Sequence, residues 1–155
     1  MHYEDKIDAN LALQLVSIQG IKGVAFGAGF EGCKLRGSQF HDPISYKDKR
    51  FQRTSNNAGG IEAGMTNGQP LRIHCCMKPI STLPKPLSSV NMKTKKPSTA
   101  SVERADICAV PAASIVAENV TAIVLAKAVL EKFGRDSLDE IKGSLAGYMK
   151  RVKRL

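Results

Sequence analysis

Three groups of residues in this chain have types and spacings that suit chemistry. The first is the run from Asn57 to Gly68, where five small or flexible residues (Ala58, Gly59, Gly60, Ala63 and Gly64) allow backbone to come close to a bulky anionic ligand. The second is Lys78-Pro79-Ile80-Ser81-Thr82. Its lysine supplies a cation, its proline stiffens the turn, and its two hydroxyls and free amides can hydrogen-bond a phosphate or a ring edge. The third is Arg104 with Asp106, one residue apart and so on one side of an extended chain. Pro111 just beyond opens a helix whose free amides favour an anion. Each group also has a plain reading. A Lys-Pro after a strand is a routine edge device, and Arg104 with Asp106 could be a local ion pair capping the helix. His41, beside Asp42, and His74, on the open side of a strand, could titrate near neutral pH, but structural or solvent-facing roles are favoured for both.

The elements that must position these groups follow from periodicity. Ile7, Leu11, Leu15 and Ile18 recur at helical spacing, predicting an amphipathic helix that ends near Gly20. A short strand is expected over Lys22–Phe26. From Gly27 to Gly60 the chain reads as a long basic Gly-rich loop, with Lys47–Arg53 as part of a hairpin within it. Leu71, Ile73, Cys75 and Met77 alternate with polar or small neighbours, the period of a strand with one buried face. Val90 and Met92 suggest another strand, with a turn at Lys95-Lys96-Pro97 and a partner over Thr99–Arg104. Pro111 sits in the first turn of a long helix stopped by Gly134, and Ser137 with Glu140 forms a capping-box pattern before a last helix. Helix, strands, then two helices make an α+β pattern of antiparallel strands packed on helices, and the length of 155 residues predicts one domain.

Composition narrows the function classes. The net charge of +9 matches the excess of twelve Lys and Arg between Lys34 and Lys96 over Asp42, Asp48 and Glu62. Such a surplus attracts nucleic acid, acidic lipid or a phosphorylated small molecule, and the Gly-rich run inside it favours the last. The absence of Trp and the low aromatic content argue against a base-stacking module. Cys33, Cys75, Cys76 and Cys108 lack metal-ligand spacing and read as buried free thiols, with no metal. No apolar run reads as long enough to cross a bilayer, and the polar start of the chain does not read as a secretory signal, so a cytoplasmic protein with no membrane partner is expected.

In order along the chain, Gln19-Gly20, the run from Asn57 to Gly64, Lys78–Thr82 and Arg104-Ala105-Asp106 resemble the later part of the chorismate synthase family. The resemblance covers nearly all of the sequence, whereas the family's signatures Gly-Glu-Ser-His-Gly and Arg-x-Ser-Ala-Arg do not occur in it. It implies a C-terminal portion of such an enzyme, inactive alone, from a fold that sandwiches helices between antiparallel sheets. It further implies reduced FMN as cofactor, a phosphorylated substrate, a homotetramer and no nucleic-acid partner. Residue by residue, Gln19, Gly20, Ala63, Lys78, Pro79, Ile80, Ser81, Thr82 and Arg104 would contact the flavin, and Asp106 would be catalytic. The family's proton-donating histidines have no match in His41 or His74. Two departures stand out: the family more often has glycine at position 63, and Arg-His-Asp-Pro where this chain has Arg104-Ala105-Asp106-Ile107. The alternative is a non-catalytic basic binding or assembly module, with nucleic acid as its candidate partner. Half of such a sandwich would expose apolar surface, so the polypeptide alone is expected to self-associate or to depend on the rest of the sandwich.

Overall fold

The structure, a computed structural model, describes residues 2–103 and 108–153. Helix α1 (Ile7–Val16) carries Ile7, Leu11 and Leu15 on one buried stripe, at the predicted i, i+4, i+8 spacing. Leu11 and Leu15 are fully buried, each contributing about 2 kcal/mol of apolar burial. A turn through Gln19-Gly20 reverses the chain into β1 (Ile21–Phe26), which pairs antiparallel with β2 (Ile73–Met77). The ladder runs from Ile21 opposite Met77 to Phe26 opposite Ile73, with a bulge between Ile21 and Gly23. Helix α2 (Val110–Phe133) lies against α1, adding Val124 to a core that also holds Ile61.

The stretch 27–60, read as a long loop with part of a hairpin at Lys47–Arg53, holds that hairpin, β3 (Ile44–Lys47) with β4 (Arg50–Arg53), and also two single-turn helices, Gly29–Gly32 and Gly37–Phe40. The Gly-rich run forms a second, very short hairpin, β5 (Ile61–Glu62) with β6 (Met65–Thr66). The third hairpin, β7 (Ser88–Val90) with β8 (Pro97–Thr99), turns a few residues earlier than predicted. The cause is local: the Asn91 side chain accepts from the amides of Lys93 and Thr94 at 3.0 and 2.9 Å, and so starts the turn there. Antiparallel pairs and packed helices give the α+β class that the sequence predicted.

Close backbone packing locks the far end of β1. Gly27 donates to Arg72 O at 2.9 Å, and Ala28 to Asn57 O at 2.8 Å. A Cβ on Gly27 would overlap the Asn57 carbonyl, and one on Gly59 would overlap the Gly27 amide. Only glycine fits at this crossing of two main chains.

Two expectations are overturned. The four cysteines are exposed, not buried. Cys75 does lie on the side of β2 that faces α2, and desolvation there pushes its thiol pKa up. Second, α2 is an apolar run of membrane-spanning length: 24 residues with a mean hydropathy of 1.7 over its most apolar window. One face of α2 (Ala117, Val120, Val124 and Ala128) packs on the core. Ile115 on the opposite side and Val116 and Ile123 on one flank lie open, Ile123 at 69% exposure. At its end Gly134 stops the helix, and α3 (Leu138–Val152) begins with Ser137 accepting from the Glu140 amide at 3.2 Å. Tyr148 of α3 packs on Phe133 and beneath the Lys132 ammonium.

Candidate functional site

The predicted ligand-contact residues fall at two ends of the α1 layer. At the first end, the Lys78 amide donates to Gly20 O at 2.8 Å, so the turn after α1 and the start of the Lys78–Thr82 segment are held side by side. Strand pairing explains this: β2 ends opposite the start of β1, and Pro79, which lacks an amide hydrogen, stops the ladder there. Gln19, Lys78, Pro79 and Ser81 are exposed, whereas Ile80 and Thr82 are half-buried. Among the described residues, neither the Ser81 nor the Thr82 hydroxyl hydrogen-bonds to protein, and Lys78 has no ion-pair partner. An exposed cation and two hydroxyls, one of them on a half-buried threonine, form beside a glycine turn a donor set suited to a phosphate.

Ala63 belongs to the second end. With Gly64 it makes the two-residue turn between β5 and β6, and both residues have positive φ, 51° and 78°. That is the turn that fits the twist of a tight hairpin. Gly64 packs on the Lys6 side chain, and its carbonyl accepts from the Ile7 amide at 2.9 Å, so the turn sits at the start of α1. Gln19-Gly20 and Lys78 lie beyond the other end of this 10-residue helix, about 15 Å long. The fold therefore unites Gln19, Gly20 and the Lys78 segment, and sets Ala63 apart from them. Alanine in the left-handed region carries a strain of about 1 kcal/mol that glycine would not. Arg104 and Asp106 lie outside the described residues.

Sequence reasoning missed Asp42, counting it only as an acid in a basic stretch. It is 6% exposed, and its carboxylate accepts from the Ser55 hydroxyl and from the amides of Asn57 and Ala58 at 2.7 and 2.9 Å. Burial alone would raise its pKa. The Ser55 hydroxyl, the Ala58 and Asn57 amides and the charge of Arg53 together outweigh that, so Asp42 ionises below the usual carboxylate range. Arg53 donates to Asp42 O at 2.7 Å and pairs with Glu62 at 2.6 Å. Glu62 in turn accepts from Asn67 at 2.9 Å. The only signal in the sequence was Asp42 followed by Pro43, a turn-forming pair. His41 is exposed at the end of a short helix, and His74 is exposed on β2, as predicted.

A family model for chorismate synthase matches residues 1–130. The chain belongs to the chorismate synthase family. It is 52% identical over 161 aligned residues to the chorismate synthase of Geobacter sulfurreducens, covering 99% of this chain and 41% of that protein. Against the chorismate synthase of Corynebacterium diphtheriae it is 54% identical, covering 97% and 37%. A crystal structure of chorismate synthase superposes with a TM-score of 0.81 at 40% identity, over 100% of this chain and 39% of the other. The chain thus spans about two fifths of the length of the chorismate synthases it matches, and the helix-and-hairpin arrangement described above is that family's architecture.

Proposed function

We propose that the chain is the C-terminal portion of a chorismate synthase and contributes part of its flavin site. The whole enzyme would act as a cytoplasmic homotetramer in the shikimate pathway, a lyase that eliminates phosphate from 5-enolpyruvylshikimate 3-phosphate to give chorismate. The observation that carries this reading is the backbone pairing of Lys78 with Gly20 at one end of α1, beside an ammonium and two hydroxyls that have no protein partner among the described residues. That donor set fits the phosphate of FMN, with Lys78, Ser81 and Thr82 as its holders and Gln19-Gly20 alongside. Reduced FMN, when bound, supplies the electron-rich partner that a phosphate elimination with no net redox change requires.

The chain's own tasks are to bind anions, shape the backbone beside them and handle a proton. Arg104 is proposed as a second cation and Asp106 as the group that assists proton transfer; both assignments rest on the family motif. Replacing Asp106 by Asn in the protein at its full encoded length is expected to lower turnover at least about a hundredfold, the range of general acid-base contributions. Unchanged turnover removes Asp106 from the mechanism. The 155-residue polypeptide, supplied with reduced FMN and substrate, is expected to form no chorismate, and turnover by it at the full-length rate refutes that expectation.

For the open face of α2 we favour protein over lipid as its cover. Its apolar face on the other side already packs on α1, and Glu118, Lys127, Glu131 and Lys132 flank the two apolar faces. A second reading has one observation behind it: the rings of Tyr46 and Phe51 meet across β3 and β4 at 4.9 Å, tilted by 54°, both about two-thirds exposed, beside Lys47, Lys49 and Arg50. Exposed aromatics among cations suit single-stranded nucleic acid. A salt-dependent shift of an RNA or DNA oligonucleotide at physiological ionic strength, abolished in Phe51→Ala, would establish that module; its absence returns these cations to a small phosphorylated ligand.

A further inference from the structure

We propose that Asp42 is a positioning residue for the flavin, setting the shape of the Ala63 turn through Arg53 and Glu62. The inference rests on the flavin reading of Ala63 and extends it to Asp42 and Arg53, which lie outside the family motifs quoted above. Asp42 holds the entry to the Gly-rich run directly and reaches its far side only through Arg53. Its carboxylate takes the Ser55 hydroxyl and the Asn57 and Ala58 amides, which fixes the entry to Gly59-Gly60. Its main-chain carbonyl takes one arm of the Arg53 guanidinium, whose other arm pairs with Glu62, the residue just before Ala63.

The exit is held the same way. Asn67 donates its side-chain amide to Glu62 and its backbone amide to Gly60 O at 3.0 Å, which ties the returning strand to the run's centre. The six residues from Asn57 to Glu62 are thus held by directional polar contacts as well as by the burial of Ile61 and the close main-chain approach of Gly27 to Gly59. That matters because glycines offer no side-chain packing, and an unrestrained Gly-Gly run would sample many backbone shapes. A ligand that meets backbone at Ala63 then binds tightest when this clamp has already selected the bound shape. Arg53 and Glu62 are only partly exposed, at 23% and 37%, so their pairing is less screened than a surface ion pair.

FMN titration of the protein at its full encoded length, by quenching of flavin fluorescence, tests this with Asp42→Asn, Glu62→Gln, the double variant and Lys78→Ala. Asp42→Asn and Glu62→Gln are each expected to weaken FMN binding about tenfold, the cost of a loosened supporting shell. Because they belong to one clamp, the double variant is expected to be hardly worse than the worse single variant. Lys78→Ala, at the other end of α1, is expected to add in full to either. Hydrogen exchange at the Asn57 and Ala58 amides should quicken in Asp42→Asn. Wild-type FMN affinity in both clamp variants, with that exchange quickened, overturns the inference and leaves Asp42 a purely structural residue. If Asp42→Asn does not fold, Glu62→Gln alone decides by the same criterion. No FMN binding by the wild-type protein fails the flavin reading itself, and the inference with it.

Discussion

The two ends of the α1 layer are built in opposite ways. At the Ala63 end, polar groups are spent on one another: Asp42, Ser55, Asn57, Arg53, Glu62 and Asn67 form a partly buried network around a glycine run. At the Gly20 end, a backbone bond from Lys78 extends the β1–β2 ladder by one step, and the lysine with its neighbouring hydroxyls has no protein partner among the described residues. One end has a fixed shape with little hydrogen-bonding capacity left over. The other has capacity and little internal restraint. A site assembled from both would take its geometry from the first and its attraction for anions from the second.

The sharpest way to break this contrast is to remove Asp42. Asp42→Ala strands two buried amides and a hydroxyl, and is expected to cost about 3 kcal/mol of folding stability, read from denaturant midpoints. A loss below about 1 kcal/mol would mean that water replaces the carboxylate without penalty. Acid exposes the same contribution. Because Asp42 ionises at lower pH in the folded chain than in the unfolded one, its stabilisation is complete above the unfolded carboxylate pKa of about 3.9 and drains away as pH falls through the lower folded value. Asp42→Asn is therefore expected to flatten the stability-pH curve below about pH 4. An unchanged acid slope would assign that slope to other carboxylates.

At the open end the expectation reverses. Lys78→Ala is expected to change stability by less than about 0.5 kcal/mol while weakening FMN binding by about 2 kcal/mol, the worth of a hydrogen bond to a charged group. Calorimetry on one sample reads both quantities. Equal losses in the two would erase the distinction between the ends. The smallest effect concerns strain at the clamped end. Ala63→Gly is expected to raise stability by about 1 kcal/mol, since Ala63 is exposed and held at φ 51°. A loss of stability on that change would show that the methyl group packs usefully.

Much of this was legible beforehand wherever the cause was local. The stripe Ile7, Leu11, Leu15, the alternation along β2, Pro111 in the first turn of α2, Gly134 at its end and the Ser137 cap all act within a few residues of themselves. The Lys78–Thr82 segment could be proposed as an anion binder from sequence because its donors are contiguous. Asp42 could not, because its partners lie 13 to 16 residues away and only the folded chain brings them to it. The distance of Ala63 from Gly20 was hidden for the same reason: one motif order along the chain is compatible with either end of α1. The cysteines misled because thiol burial is a statistical tendency, and Cys33, Cys76 and Cys108 occupy a surface helix turn, the open side of β2 and a connecting segment.

The crossing of Gly27 and Gly59 bears on how this sequence can vary. At both positions the obstacle to a side chain is the main chain of the other segment, so no compensating change at a neighbouring side chain could clear it. In a saturation library these two codons are expected to tolerate nothing but glycine. Gly143, inside α3, has empty space around it and should accept alanine freely. The two glycines constrain each other from opposite sides of one contact, so neither can drift first.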